Sequence, residues 1–271
     1  MDMTASPWSR VISFEGINNF RDYGGWRAAD GAEVARGVLF RSAHMARATS
    51  ADLDQLAKLG LVIVTDLRQG EEQAEHPGAW IGKLPLEVIE EPGRTAICAD
   101  GAPKAPHLAA FRKSDFSPHA MRRLLGGHYM TMAYDARHIE LFRRYFHRLP
   151  SLKGGMVMHC AAGKDRTGIL ARLTHHVLGV HQDDAMEDYL LSNTAGNIAQ
   201  RLPALQQHME AAYGRSIGSE AIQALLTVEP AYIKACWAAL EARSGSVDAY
   251  LSNVLGVDAA RQFAIRERLL S

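Results

Sequence analysis

The chain is short of cysteine, with three in 271 residues. Three cannot build the disulfide framework of a small secreted scaffold, and they suit a reducing compartment. It also lacks an excess of either charge: 30 Lys and Arg stand against 30 Asp and Glu, a formal net charge of +0. That balance excludes a global field steering the protein to nucleic acid or to an anionic membrane. No apolar run is long enough to span a bilayer, and Met1–Arg10 lacks the basic start and apolar stretch of a signal peptide. A cytoplasmic protein with no stable membrane insertion is therefore expected, with signal-independent export left open. The histidines, His175-His176 included, show neither His-Glu-x-x-His nor Cys-x-x-Cys spacing, so neither metal nor cofactor is expected. Repeats and low-complexity tracts are missing. What remains is 47% hydrophobic and 22% charged, an ordinary globular composition on a chain long enough for one large core.

One segment carries most of the chemical information: His159-Cys160-Ala161-Ala162-Gly163-Lys164-Asp165-Arg166-Thr167-Gly168. Apolar Met156-Val157-Met158 before it reads as a buried strand. Ile169, Leu170, Leu173, Val177 and Leu178 after it recur at helical spacing. A cysteine, five residues and an arginine between strand and helix make a tight loop whose backbone N–H groups converge on one tetrahedral anion. Arg166 would close the loop with a two-pronged donor matched to phosphate oxygens. Ala161, Ala162, Gly163, Lys164, Thr167 and Gly168 are the expected anion-binding residues. A helix N-terminus and nearby cations favour thiolate over thiol, and Cys160 has both kinds of neighbour. A thiolate there would attack phosphorus and form a cysteinyl-phosphate that water then hydrolyses. Thr167 is placed to hydrogen-bond the sulfur. His159 is expected to orient the loop through the backbone rather than to act as a base. The competing reading, a buried structural cysteine before a glycine turn, requires the whole pattern to arise by chance.

The run resembles the signature of protein tyrosine phosphatases. Its Gly-Lys-Asp-Arg-Thr-Gly ending is similar to the atypical bacterial branch that includes tyrosine, dual-specificity and phosphoinositide phosphatases. Asn19-Phe20-Arg21-Asp22-Tyr23-Gly24-Gly25 resembles that branch's Asn-Phe-Arg-Asp-Leu-Gly-Gly motif, with Tyr23 as the departure. Phe40-Arg41-Ser42, Thr65-Asp66-Leu67-Arg68 and, more weakly, the tail from Tyr232 to Leu270 also match. The resemblance implies a phosphotyrosine or phosphoinositide substrate. In relatives with Lys-Asp-Arg-Thr, the aspartate is a plausible general acid for the leaving oxygen, which points to Asp165. No Trp-Pro acid loop exists, since Trp80 precedes Ile81-Gly82. Asp66 and Asp100 stay open as alternatives.

Beyond the signature, Val38-Leu39-Phe40, Leu61–Leu67 and Leu86–Ile89 read as strands. Thr49 with Asp52 begins a helix that Gly60 ends. This order suggests an α/β fold with a mainly parallel sheet flanked by helices. Ligands on such sheets bind at the strands' carboxyl ends, which would put Asp66 and Arg68 beside Cys160. Residues 1–271 are expected to form one domain, with 92–118 a lid or insertion and 182–271 a helical C-terminal part. Phe142, Tyr145, Phe146 and Leu149 mark an amphipathic helix. Ile233, Cys236, Trp237 and Leu240 share another helical face, and Gly256 and Asp258 separate the last two helices.

Lys164 is either a solvated lysine or a rim charge for a second phosphate. Arg21 and Asp22 either line the pocket or form an internal ion pair. Cys98 and Cys236 are expected to be buried as small apolar residues rather than bonded to Cys160. A rhodanese-type sulfurtransferase and a phosphate-binding pseudo-enzyme are the other classes considered. The first leaves Asp165 without a task, and the second leaves the pair Cys160 and Arg166 unexplained. The expected partner is a phosphorylated protein or phosphoinositide, with no nucleic acid; composition does not give the oligomeric state.

Overall fold

A computed structural model describes residues 10–91 and 114–271. Most of the expected lid, with Cys98 and Asp100, lies outside the described residues. Five strands form one sheet: β1 (Arg21–Asp22), β2 (Leu39–Ser42), β3 (Leu61–Asp66), β4 (Glu87–Ile89) and β5 (Gly155–His159), in the order β1-β2-β5-β3-β4. All neighbours are parallel except β1, which runs antiparallel to β2. Strand β5 takes the centre and is buried throughout, as a parallel strand covered on both faces must be. Its register pairs His159 with Ser42 on one side and with Asp66 on the other. The carboxyl ends of three strands therefore finish level, and Ala43, Leu67 and Cys160 leave the sheet along one edge.

Alternation along the strands divides the core in two. Leu39, Ile63, Met156 and Met158 face one cluster, and Phe40, Val64 and Val157 face the other. The first cluster is closed by helices α4 (Ala136–Arg148), α5 (Arg166–Leu178), α10 (Pro230–Ser244) and α11 (Ala259–Leu269). The second is closed by α1 (Ser50–Ala57) and the chain around Ile17, Phe20 and Trp80. In α5, Ile169, Leu170, Leu173, Val177 and Leu178 are all buried. At about 1.5–3 kcal/mol for each such side chain, their burial anchors the helix whose first turn carries the signature arginine. The expected capping box is present: Thr49 accepts from the Asp52 N–H, and Asp52 accepts from the Thr49 N–H.

Other helices of the described residues are α2 (Gly70–Glu75), α3 (Pro118–Met132), α6 (Gln182–Leu190), α7 (Ser192–Ala195), α8 (Ile198–Tyr213) and α9 (Ser219–Leu226), with short helical turns at Leu149–Ser151 and from Val247 to Val254. Pro118, the last residue of the expected lid, opens α3. Ser117 caps this helix by accepting from the Ala120 N–H, and proline fits a first helical position because its missing N–H is not needed there. The start of α3 packs with α8 and α9 into a third cluster through Phe116, Met121, Leu205, Ile217 and Ile222, apart from the sheet. Gly256, with φ +68°, and the capping Asp258 separate the last helix from what precedes it. No helix of the described residues is long and apolar enough to cross a membrane.

Candidate active site

Residues Cys160–Asp165 form the loop between β5 and α5, and Cys160 is buried. The loop is held from outside by its carbonyls. Ala161 O accepts from the His44 backbone N–H at 3.2 Å. Ala162 O accepts from Asn19 Nδ2 at 3.0 Å, and Gly163 O accepts from the same Nδ2 and from Arg41 Nη2, each at 3.0 Å. A trans peptide places its N–H opposite its carbonyl. Three consecutive carbonyls tied outward therefore turn the N–H groups of Ala162, Gly163 and Lys164 inward. Gly163 makes the turn with φ +67° and lies against the Ser42 carbonyl, so a Cβ there would collide with backbone.

Arg166, the first residue of α5, is clamped. Its Nη1 and Nη2 donate to Glu72 Oε2 and Oε1 at 2.6 and 2.8 Å, and Nη1 also donates to Leu67 O at 3.1 Å. Burial alone would lower the guanidinium's pKa. The bonds to Glu72 and the charges of Cys160 and Glu72 outweigh this and raise it. In turn, burial pushes Glu72 up, but its bonds to Arg166 hold it below the ordinary carboxylate value. Glu72 is fixed at the N-terminus of α2, where its Oε2 also accepts from the Gln69 N–H.

Asp165 Oδ1 accepts from Tyr129 Oη at 2.8 Å and lies 3.3 Å from Lys164 Nζ. Tyr129 in turn accepts from Tyr189 Oη at 2.8 Å. Both contacts fall on Oδ1, and neither engages Oδ2. Lys164 is not on the open rim. Its Nζ donates to the carbonyls of Leu225 and Thr227 at 2.7 and 3.1 Å, at the C-terminal end of α9 where carbonyls lack helical partners. Arg201 of α8 stands near enough to Cys160 to feel its charge, which partly offsets the lowering of the Arg201 pKa by burial. A cavity of ≈ 540 Å³ adjoins Asp165 and Arg166, with Gln69, Arg123, His128 and Arg137 among its walls.

Other expected site residues fall elsewhere. His159 is fully buried, with Nδ1 3.6 Å from Asp66 Oδ1. Burial lowers its pKa despite Asp66 and a backbone bond at Cys160, so the ring is neutral. Asp66 is beside the loop as expected, yet it is locked in a forked bond to Arg68, with Nη2 at 2.7 Å from Oδ2. Burial raises its pKa, but the hydrogen bonds and charge of Arg68 help to hold it below the ordinary carboxylate value. Arg68 also donates to His76 O at 2.7 Å and is a strand-end brace. Arg21 is fully buried and paired with Asp188. Asp22 accepts from the N–H groups of Gly24 and Gly37 and shapes a turn. Thr167 Oγ1 is buried with no hydrogen-bond partner among the described residues, and Gly168 passes 3.0 Å, measured from an added Cβ, from Tyr189. Cys236 is a free buried thiol in α10 whose pKa burial raises to about 12.

A buried cysteine beneath inward N–H groups, with a clamped arginine at the helix start, defines a cysteine-dependent anion loop. The model of the tyrosine phosphatase family matches residues 12–271, and the chain belongs to that family and is a phosphatase. It is 33% identical over 259 residues to a provisionally named tyrosine-protein phosphatase of Cupriavidus necator, spanning 92% of this chain and 86% of that one. It is 28% identical over 284 residues to the triple specificity protein phosphatase PtpB of Mycobacterium tuberculosis, spanning 96% and 99%. Among solved structures, Pseudomonas aeruginosa TpbA matches at 18% identity and TM-score 0.30 over 74% of this chain and 96% of that one, too loosely to carry an argument.

Sequence reasoning missed Glu72, Asn19, Arg41, Tyr129, Asp188 and Arg201 as parts of the site. Asn19 and Arg41 sat inside matched motifs without a role. Glu72 lies in a Glu-Glu pair that reads as solvated surface, and nothing local marks the others.

Proposed function

We propose that the protein hydrolyses phosphotyrosine, with Cys160 as the nucleophile of a cysteinyl-phosphate intermediate. One observation carries this reading: the carbonyls of Ala161, Ala162 and Gly163 are all tied outward above Cys160. The inward N–H groups and Arg166 are then directed at the oxygens of a phosphoryl group, where charge is spread in the transition state. Sulfur displaces the ester oxygen at phosphorus, and that oxygen takes a proton from Asp165 Oδ2. Water then attacks the phosphocysteine, its proton returning to Asp165; the S–P bond breaks, inorganic phosphate is released and the Cys160 thiolate is regenerated. Thr167 Oγ1 is the group on hand to donate to the departing sulfur. No metal is needed, because the loop and Arg166 supply the positive potential. The whole of 1–271 acts as one phosphatase unit, and the need for a reduced thiol supports a cytoplasmic setting.

A second reading, hydrolysis of phosphoinositides, is favoured by the cavity beside Arg166, whose walls include Arg123 and Arg137. Those cations, rather than the internally bonded Lys164, would hold another phosphate of an inositol headgroup. A panel of phosphotyrosine and phosphoserine peptides and phosphoinositide vesicles, each with and without vanadate, tests both readings. Vanadate-sensitive release from phosphotyrosine is expected. Release from phosphoserine alone, or cyanide-dependent thiocyanate formation without phosphate release, contradicts the proposal.

A further inference from the structure

Behind the loop lies a buried assembly that the reaction itself does not use. Asp188 of α6 is about 1% exposed, and Arg21 and Arg41, on the first two strands, are fully buried. Asp188 Oδ1 accepts from Arg21 Nε at 3.0 Å and Oδ2 from Arg41 Nη1 at 2.6 Å. Arg21 Nη2 is fixed by Asp188 O and Ser192 Oγ at 2.9 and 3.2 Å. Two buried guanidiniums share one carboxylate, an arrangement whose desolvation cost makes it weak as a stability device. Its geometry gives it another use.

From Asp188, two chains of hydrogen bonds converge on the Gly163 carbonyl, and one of them also reaches that of Ala162. Arg41 donates directly to Gly163 O. Arg21 Nη1 donates to Asn19 Oδ1 at 2.6 Å, which fixes the Asn19 amide so that its Nδ2 faces Ala162 O and Gly163 O. Asn19 itself sits at φ +60°, a left-handed conformation that aims its side chain at the loop. We propose that Asp188 is a positioning residue for the anion loop: through Arg41 and through Arg21–Asn19 it sets the direction of the Ala162 and Gly163 carbonyls, and so of the N–H groups that meet phosphate. The proposal rests on the Cys160 loop being the phosphate site. It adds that the loop's shape is imposed from α6, some twenty residues beyond the signature.

Charge and geometry give opposite expectations for one substitution. Asp188→Asn removes a negative charge from behind an anion site. If only the electrostatic field mattered, the variant would bind anions more tightly. If Asp188 positions the loop, it binds them less tightly, because the amide cannot accept from both guanidiniums as charged acceptor. The test measures vanadate Kd, and alkylation of Cys160 by iodoacetamide at pH 6 relative to pH 9.5, in Asp188→Asn, Asn19→Leu and Arg41→Lys. Circular dichroism is recorded for each. Each variant is expected to weaken vanadate about tenfold and to slow the pH 6 alkylation relative to that at pH 9.5. One lost charge-assisted bond is of that size. Adding Asp188→Asn to the pair Asn19→Leu, Arg41→Lys should change vanadate affinity less than about threefold, since its route to the loop is already cut. Tighter or unchanged vanadate binding in folded Asp188→Asn overturns the proposal. So does a full further loss in the triple variant. If Asp188→Asn does not fold, Asn19→Leu decides, because that residue lies at the loop side of the network; unchanged binding there also overturns it. A wild-type protein that binds no vanadate at all refutes the phosphate-site reading itself, a result distinct from wild-type binding that the variants share.

Discussion

Replacing Glu72 by Gln tests how the signature arginine is held. The carboxylate makes two charge-assisted bonds to Arg166, at 2.6 and 2.8 Å. Gln can still accept from the Gln69 N–H and so keeps the start of α2, but it offers Arg166 one neutral acceptor in place of a fork. Hydrogen bonds to charged groups contribute roughly 1.5–3 kcal/mol, and losing about one of them corresponds to roughly 10- to 100-fold in kcat/KM. Glu72 is a third exposed on its side chain, so solvent screening places the loss toward the lower end. Removing a negative charge near a phosphate should by itself help binding, which makes the sign informative. Steady-state kinetics on an aryl phosphate, with vanadate Kd measured alongside, should show kcat/KM falling at least about tenfold and vanadate binding weakening. An equal or higher kcat/KM with tighter vanadate would refute the clamp and leave Glu72 as a mere competitor for Arg166.

Asp165→Asn should slow aryl phosphates with basic leaving groups far more than those with acidic ones, since a general acid contributes in proportion to the basicity of the departing oxygen, up to about 10²–10⁴ in rate; equal losses across the series would make Asp165 structural. Acid stability should follow the buried histidines. Burial first of all lowers the His138 pKa to about 4, and His159 and His175 shift the same way for the same reason. These rings stay neutral in the fold while the unfolded chain takes up protons below its ordinary histidine value. Stability is therefore full above about pH 6.5 and falls as pH drops toward the folded value, by roughly 1.4 kcal/mol per pH unit for each histidine. Urea midpoints should decline from pH 7 to pH 4.5, less steeply in His138→Gln; a flat profile would contradict this.

The loop and its flanking strand and helix were legible because their signal is local: one apolar strand, a fixed cysteine-to-arginine spacing and one helical stripe. The mainly parallel sheet was legible from the strand and helix order, but the strand order, with β5 at the centre, was not. What could not be read were contacts set by tertiary approach. Asn19 and Arg41 reach Gly163 across more than a hundred residues, and Asp188 is one acid among several on an ordinary amphipathic helix. Lys164, read as either a solvated lysine or a rim charge for a second phosphate, is captured by two carbonyls that only the packing of α9 supplies. His159 and Asp66 occupy the expected neighbourhood, but burial and Arg68 fix their states. The helix α3 was hidden by a proline that marks a helix start as readily as a loop end.

The central claim is covalent catalysis by Cys160, and the most direct measurement is chemical quench of turnover with a phosphorylated aryl substrate, followed by mass analysis of the peptide that carries this residue. One phosphate on Cys160 is predicted, formed within the first turnover and absent in Cys160→Ser. A peptide that stays unmodified throughout rapid turnover, or a Cys160→Ser variant that hydrolyses substrate within about tenfold of the wild-type rate, would contradict it.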